Sequence, residues 1–212
     1  MMATIFLDLD GTLTDPKPGI TRSVVHALES LGLEAPEADS LDWVIGPPLL
    51  QSFERLGAPD PQAALAAYRA RYADVGLYEN QVFDGIPELL AGLRAEGHVL
   101  HLATAKPHEY ARRITAHFGL AGHLTHEFGP ELDGTRNDKG ELLRHALEIT
   151  GARVGASVMI GDRHHDIDAA RAVGMKAIGV LWGYGPREEL AGADHLVATP
   201  AEIGRAVRAL LG

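Results

Sequence analysis

Four short, largely apolar runs, each stopping at a polar residue or a glycine, constrain this chain more than any other feature of its sequence. Ala3 to Leu7 runs into Asp8 and Gly11, and His98 to Ala103 into Thr104. Ser157 to Ile160 runs into Gly161 and Asp162, and Ala177 to Leu181 into Trp182 and Gly183. Continuous apolar runs of this length fit strands buried on both faces. Leu124 to Phe128 and Asp194 to Val197 are weaker strand candidates. Helical stripes lie between them: Ile86, Leu89, Leu90 and Leu93 before Gly97, and Leu142, Leu143, Ala146 and Ile149 before Gly151. Alternation of this kind predicts an α/β fold, a doubly wound and mostly parallel sheet with covering helices. Thr199, Pro200 and Glu202 open a last helix, with a threonine cap, an early proline and a glutamate three residues on.

Residues 16–80 break the alternation. They carry three helical stripes and no convincing strand: Val24, Val25, Leu28 and Leu31; Leu49, Leu50, Phe53 and Leu56; and Leu65, Tyr68, Tyr72 and Val75, the last capped by Asp60 with Pro61 following. The chain therefore reads as a core of residues 1–15 and 81–212 with an inserted helical unit of residues 16–80. Gly19 and the segment Asn80 to Gly85 are the expected hinges.

The first run delivers Asp8-Leu9-Asp10-Gly11-Thr12, so two carboxylates converge at one strand end, where open α/β sheets bind ligands. A second acidic group, Asp162 with Asp166 and Asp168, follows another strand. Acids this close resist joint ionisation, so either one is protonated or a cation lies among them. The alternative is that the aspartates cap turns and helices. With no cysteine in 212 residues, thiolate sites and cysteine nucleophiles are excluded, and an all-oxygen ligand set suits magnesium better than calcium. A formal charge of −10 argues against nucleic acid as a partner, and no run is long enough to cross a bilayer. A small anionic substrate held locally by cations, and a cytoplasmic setting, are the expectations; the start MMATIFLDLDG lacks a basic secretory n-region.

Asp8-Leu9-Asp10-Gly11-Thr12-Leu13-Thr14, Ala103-Thr104-Ala105-Lys106, Lys139 opening a helix, and Gly161-Asp162-Arg163-His164-His165-Asp166 resemble the four ordered motifs of the haloacid dehalogenase-like superfamily. The resemblance covers essentially the whole chain, because the helical insert falls where that superfamily places its helical caps. It implies a magnesium-dependent phosphohydrolase acting on a small phosphorylated metabolite. Asp8 would be the nucleophile that forms an aspartyl-phosphate, and Asp10 the acid and base. Asp8, the backbone carbonyl of Asp10, Asp162 and, through water, Asp166 would hold the metal, while Thr104 and Lys139 would bind the phosphoryl oxygens. Asp10 favours phosphoryl transfer over halide removal, since the halide-removing members lack the second acid and the metal.

Trp43-Val44-Ile45-Gly46-Pro47-Pro48-Leu49 and Gly179-Val180-Leu181-Trp182-Gly183-Tyr184-Gly185 are similar to bacterial phosphoglycolate phosphatase-like proteins, notably those described as 5'-nucleotidases. That likeness implies a nucleoside 5'-monophosphate as substrate, with phosphoglycolate, a sugar phosphomutase reaction or a catalytically idle binding protein as alternatives. Trp43 stacks on a base or packs its own unit. Lys106 reaches phosphate or stays solvated at a helix start, and Arg136 contacts substrate or completes a loop. His164 and His165, adjacent on a helix and expected to face different ways, read as structural.

Overall fold

The computed structural model describes residues 2–46 and 48–212. By its internal contacts the chain divides into two compact units, Met1–Asp15 with Val82–Gly212, and Pro16–Gln81.

The first unit is built on β1 (Thr4–Leu7), β4 (Val99–Ala103), β5 (His126–Phe128), β6 (Ser157–Gly161), β7 (Lys176–Val180) and β8 (His195–Val197). These form one sheet in the order β5-β4-β1-β6-β7-β8, with every pairing parallel. Thr14–Asp15 (β2) and Gln81–Val82 (β3) form a separate two-stranded pair. Leu7 lies level with Leu102 on one side and with Ile160 on the other. The loops after β1, β4 and β6 therefore emerge at nearly the same height, beside the strand where the order reverses, which is the ligand-binding edge of such sheets. Ile5, Phe6 and Leu7 are all fully buried, as the continuous apolar run requires of a strand covered on both faces.

Helices supply that cover. Leu142, Leu143 and Ala146 of α6 (Lys139–Thr150) and Ile167, Ala169 and Ala170 of α7 (His164–Ala172) pack with Phe6, Met159 and Phe128 in one core cluster. The helices α4 (Ile86–Ala95) and α8 (Ile203–Leu211) touch each other, α4 also packing on β4 and α8 on β7 and β8. The predicted threonine cap is present, but it closes a 3₁₀ turn, Pro200–Glu202, that leads into α8. Ile149, expected on the buried stripe of α6, is exposed. It lies three residues beyond Ala146, in the last turn of α6, at the edge of the buried stripe.

The second unit consists of α1 (Lys17–Ser30), α2 (Leu49–Arg55) and α3 (Pro61–Arg71), with 3₁₀ turns at Ala38–Ser40 and Asp42–Val44. Asp60 caps α3 as predicted, accepting from the Ala63 amide at 3.0 Å. The third stripe does not continue as α-helix, because Tyr72–Gly76 widens into a π turn and Val75 swings out to solvent. The cause is a close crossing. A β-carbon on Gly19 would lie 2.0 Å from the Gly76 carbonyl oxygen, and one on Gly76 2.7 Å from Ser23 Oγ. Gly19 is thus a buried packing residue inside α1, in place of the expected hinge. Leu31 is also exposed, since α1 ends one residue before it.

Candidate active site

Asp8 sits one residue beyond β1, and its amide extends the ladder by donating to the Ile160 carbonyl at 2.9 Å. The chain then turns sharply. Gly11 has φ 82°, and a β-carbon there would lie 2.2 Å from Asp162 Oδ2, so both the backbone and the space demand glycine. Asp162 follows β6, and Thr104 follows β4 with its amide donating to Phe128 at 3.0 Å. All three side chains are buried.

Lys139 lies among the acids. As the first residue of α6, a helix capped by the Asp138 carboxylate on the Glu141 amide at 2.8 Å, its ammonium group sits 3.0 Å from Asp8 Oδ2 and also pairs with Asp166 Oδ1. Burial alone would discharge this lysine, but Asp166 and Asp8 hold it charged, above the ordinary lysine range. Asp166 also accepts from the Arg163 amide at 3.1 Å, so it caps α7 as the capping alternative expects while its other oxygen faces the site. Asp168 does not join the group. It is exposed and lies 3.7 Å from Arg171 on its own helix.

Carboxylate oxygens of Asp8, Asp162 and Asp166 lie within 4.8 Å of one another. Burial raises the Asp162 carboxyl to about 7, with the charges of Asp8 and Asp166 adding to the effect. Asp166 is raised for the same first reason, against the pull of Lys139, because several acids share one ammonium. Asp10 stands at the mouth of the site with its side chain 23% exposed and paired to Lys106 Nζ. Burial raises its pKa, with the Asp8 charge adding a little, and Lys106 opposes the rise. Four carboxylates, of Asp8, Asp10, Asp162 and Asp166, thus face two ammonium groups, of Lys106 and Lys139. A donor set of buried oxygens with excess negative charge fits a hard divalent cation.

The remaining candidates divide between the two units. The Lys106 amide donates to Thr104 Oγ1 at 3.2 Å, which folds the lysine back over the β4 loop before α5 (His108–His117). Trp43 belongs to the helical unit, where it is half-buried with the Arg55 guanidinium 4.0 Å from its ring centre. Pro47, four residues on, is outside the described residues. Arg136 pairs with Glu131 at 2.7 Å and holds φ 62° in a loop closed by a Glu131 to Thr135 hydrogen bond, which gives it a loop-completing contact. The rings of His164 and His165 do meet, 3.8 Å apart, contrary to the expectation that adjacent side chains diverge. His164 and Arg163 both contact Glu189, and among the described residues the three-acid metal-capable cluster includes no histidine.

What the sequence did not disclose is the contact made by the loop after β7. The Tyr184 amide donates to Asp162 Oδ2 at 2.8 Å, and Trp182 Nε1 donates to the Thr12 carbonyl at 3.1 Å. Glycines on both sides of Tyr184, directly after a strand beside β6, were the available signal.

The profile of the haloacid dehalogenase-like hydrolase family matches residues 5–180. A 5'-nucleotidase of Pseudomonas aeruginosa is 50% identical over 189 residues, covering 88% of this chain and 86% of that protein. Tyrosine-protein kinase PtkA of Mycobacterium tuberculosis is 40% identical over 209 residues, 98% of this chain and 72% of that one. The crystal structure of a predicted phosphatase from Clostridium acetobutylicum superposes with a TM-score of 0.89 at 35% identity, covering 99% of this chain and all of the other. No helix among the described residues is long and apolar enough to cross a membrane. The chain belongs to the haloacid dehalogenase-like hydrolase family, and within it is a phosphoric monoester hydrolase.

Proposed function

We propose that the enzyme cleaves a small phosphomonoester, with a nucleoside 5'-monophosphate as the preferred class, through an aspartyl-phosphate on Asp8 and with Mg2+ as cofactor. The observation that carries this reading is the buried group of Asp8, Asp162 and Asp166 around Lys139. Asp8 attacks phosphorus while Asp10 gives its proton to the leaving oxygen, and Asp10 then takes a proton from the water that hydrolyses the acyl-phosphate. Lys139 and the Thr104 hydroxyl bind the phosphoryl oxygens as charge develops there. Asp8, Asp162, the Asp10 carbonyl and, through water, Asp166 would hold the Mg2+, which supplies charge neutralisation for the phosphoryl group. Lys106, which pairs with Asp10, would reach the phosphate. The helical unit of residues 16–80 serves as the cap that shields the reaction from bulk water, and Trp43 contributes to base selectivity.

The 50% identical nucleotidase supports the substrate class, and the absence of cysteines fits a cytoplasmic setting. A second reading, transfer of the Asp8 phosphoryl group to a tyrosine hydroxyl, is favoured by the 40% identical relatives named tyrosine kinases. Release of inorganic phosphate from nucleoside monophosphates, sugar phosphates and phosphoglycolate, with and without chelator, tests the first reading. We expect nucleotides to be turned over fastest, chelation to abolish the activity and Ca2+ to fail as a substitute. Full turnover in excess chelator removes the metal reading, and a preference for phosphoglycolate removes the nucleotide reading. Accumulation of phosphotyrosine without phosphate release, when a tyrosine-containing peptide is added to the same assay, moves the assignment to the second.

A further inference from the structure

We propose that Tyr184 is a positioning residue for Asp162, acting through the loop Trp182–Gly185 that ties the two acid-bearing loops together. The inference rests on the metal reading above. Asp162 is the acid that this loop encloses most tightly. A β-carbon on Gly183 would fall 2.3 Å from Asp162 Cβ and 2.4 Å from the Gly11 carbonyl, and one on Gly185 2.0 Å from the Asp162 carbonyl oxygen. The loop backbone is therefore in van der Waals contact with Asp162 on two sides, and the Tyr184 amide fixes Oδ2 with a 2.8 Å hydrogen bond.

An irregular loop fixes a carboxylate only if the loop is itself fixed, and this one is anchored twice to the segment that follows Asp8. Trp182 Nε1 reaches the Thr12 carbonyl at 3.1 Å, and the Tyr184 hydroxyl hydrogen-bonds to the Asp15 carboxylate. Thr12 belongs to the turn that carries Asp8 and Asp10, and Asp15 to β2 directly after it, while Asp162 belongs to the loop after β6. The strap thus sets the distance and aim of Asp162 relative to Asp8. A cation held by both must bind to both at once, so any slack in the strap spreads Asp162 over orientations that do not bind. The aromatic residues act through the backbone and touch neither the reacting atoms nor the cation.

Calorimetric titration of Mg2+ into the metal-free full-length chain tests this directly. Tyr184→Phe removes only the hydroxyl and keeps the amide, and should weaken Mg2+ binding about tenfold while the circular dichroism spectrum stays that of the wild type. Asp15→Ala should give the same loss, and the double variant no more than either single one, because the two substitutions break one link. Asp15→Asn keeps an oxygen acceptor and should bind as the wild type does. Trp182→Phe removes the other anchor and should also weaken binding, which keeps the test open if Tyr184→Phe does not fold. A merely structural role would lower the melting temperature and leave the affinity unchanged. Wild-type affinity in both folded aromatic variants overturns the positioning role alone, whereas a wild-type chain that binds no Mg2+ overturns the metal reading and this inference with it.

Discussion

In the helical unit, the partly buried charges are paired. Glu79 accepts from Arg71 at 2.8 Å and from Arg22 at 3.1 Å, Lys17 sits 2.7 Å from Asp42, and the Arg55 guanidinium lies over Trp43. At the strand ends of the other unit, buried carboxylates outnumber the ammonium groups beside them, and two of them are held above the ordinary carboxylate range by burial first. Paired charges on a half-exposed surface contribute little to stability and ask for no further ligand. Unbalanced charges held in a buried site cost stability, and they persist where the fold over-determines their positions. Here the over-determination is visible as contacts that leave no room for a β-carbon at Gly11, Gly161 and Gly183. The partly buried charge is satisfied internally in one region and left unbalanced in the other.

Removing one charge from each region should have very different consequences. Asp8→Asn is nearly isosteric and should fold with wild-type circular dichroism, yet phosphate release should fall by at least about 10⁴-fold because an amide forms no acyl-phosphate at a useful rate. Wild-type turnover in this variant would dismiss Asp8 as the nucleophile. Lys139→Met should lose both properties. Without the ammonium group Asp8 and Asp166 are left as buried like charges, so the metal-free protein should be destabilised by about 3–5 kcal/mol on the scale for breaking a buried pair. Urea unfolding with and without Mg2+ measures this, and added Mg2+ should recover part of the loss by mass action. Arg71→Met in the helical unit, by contrast, should leave turnover of a small aryl phosphate unchanged, and an equal loss there would erase the distinction between the regions.

The strands β1, β4 and β6 were legible because each is a largely buried run that stops at a chemically distinctive residue: Leu7 before Asp8, Ala103 before Thr104 and Gly161 before Asp162. The order of the motifs was enough to bring Asp8, Lys139 and Asp162 within one expected site. Three kinds of information were not local and so were not legible. The π turn at Tyr72–Gly76 depends on how closely α1 and the end of α3 cross at Gly19, a tertiary event that a stripe of apolar residues does not encode. The contact of Tyr184 with Asp162 joins residues 22 positions apart. Lys106 was left between phosphate and solvent, whereas its partner, Asp10, lies 96 positions away.

With Arg55 against its ring, Trp43 already has a stacking partner inside its own unit, so a base must either take the place of Arg55 or use the opposite face. If Trp43 selects the substrate, Trp43→Ala should lower kcat/KM for nucleoside monophosphates by about 1–3 kcal/mol, the range for losing one stacked base, and spare a small aryl phosphate. Equal losses on both substrates together with a lower melting temperature would assign the ring to packing and end the nucleotide argument that rests on it.

The smallest expected effect is a dependence of stability on pH that runs opposite to that of the acid cluster. His101 lies on β4 among Phe6, Phe128 and His126, is only 2% exposed, and its Nδ1 has no hydrogen-bond partner among the described residues. Burial first, and the neighbouring His126 second, depress its pKa from 6.5 to about 4. Between those values the unfolded chain binds the proton that the folded chain refuses, so this group lowers stability as pH falls through that window, by at most about 1.4 kcal/mol per pH unit. Asp162, raised to about 7, acts in the other direction, its contribution being lost as pH rises. The two slopes partly cancel in the wild type, so the wild-type curve alone does not reveal either. Replacing the imidazole by a ring that does not titrate, in His101→Phe, removes one of them. Chemical denaturation at pH 4.5, 5.5 and 6.5 in the presence of chelator should show the variant losing less stability on acidification than the wild type. Parallel curves would mean that His101 titrates alike in the folded and unfolded chains, and that the buried face of β4 is open to a charge which its packing argues it excludes.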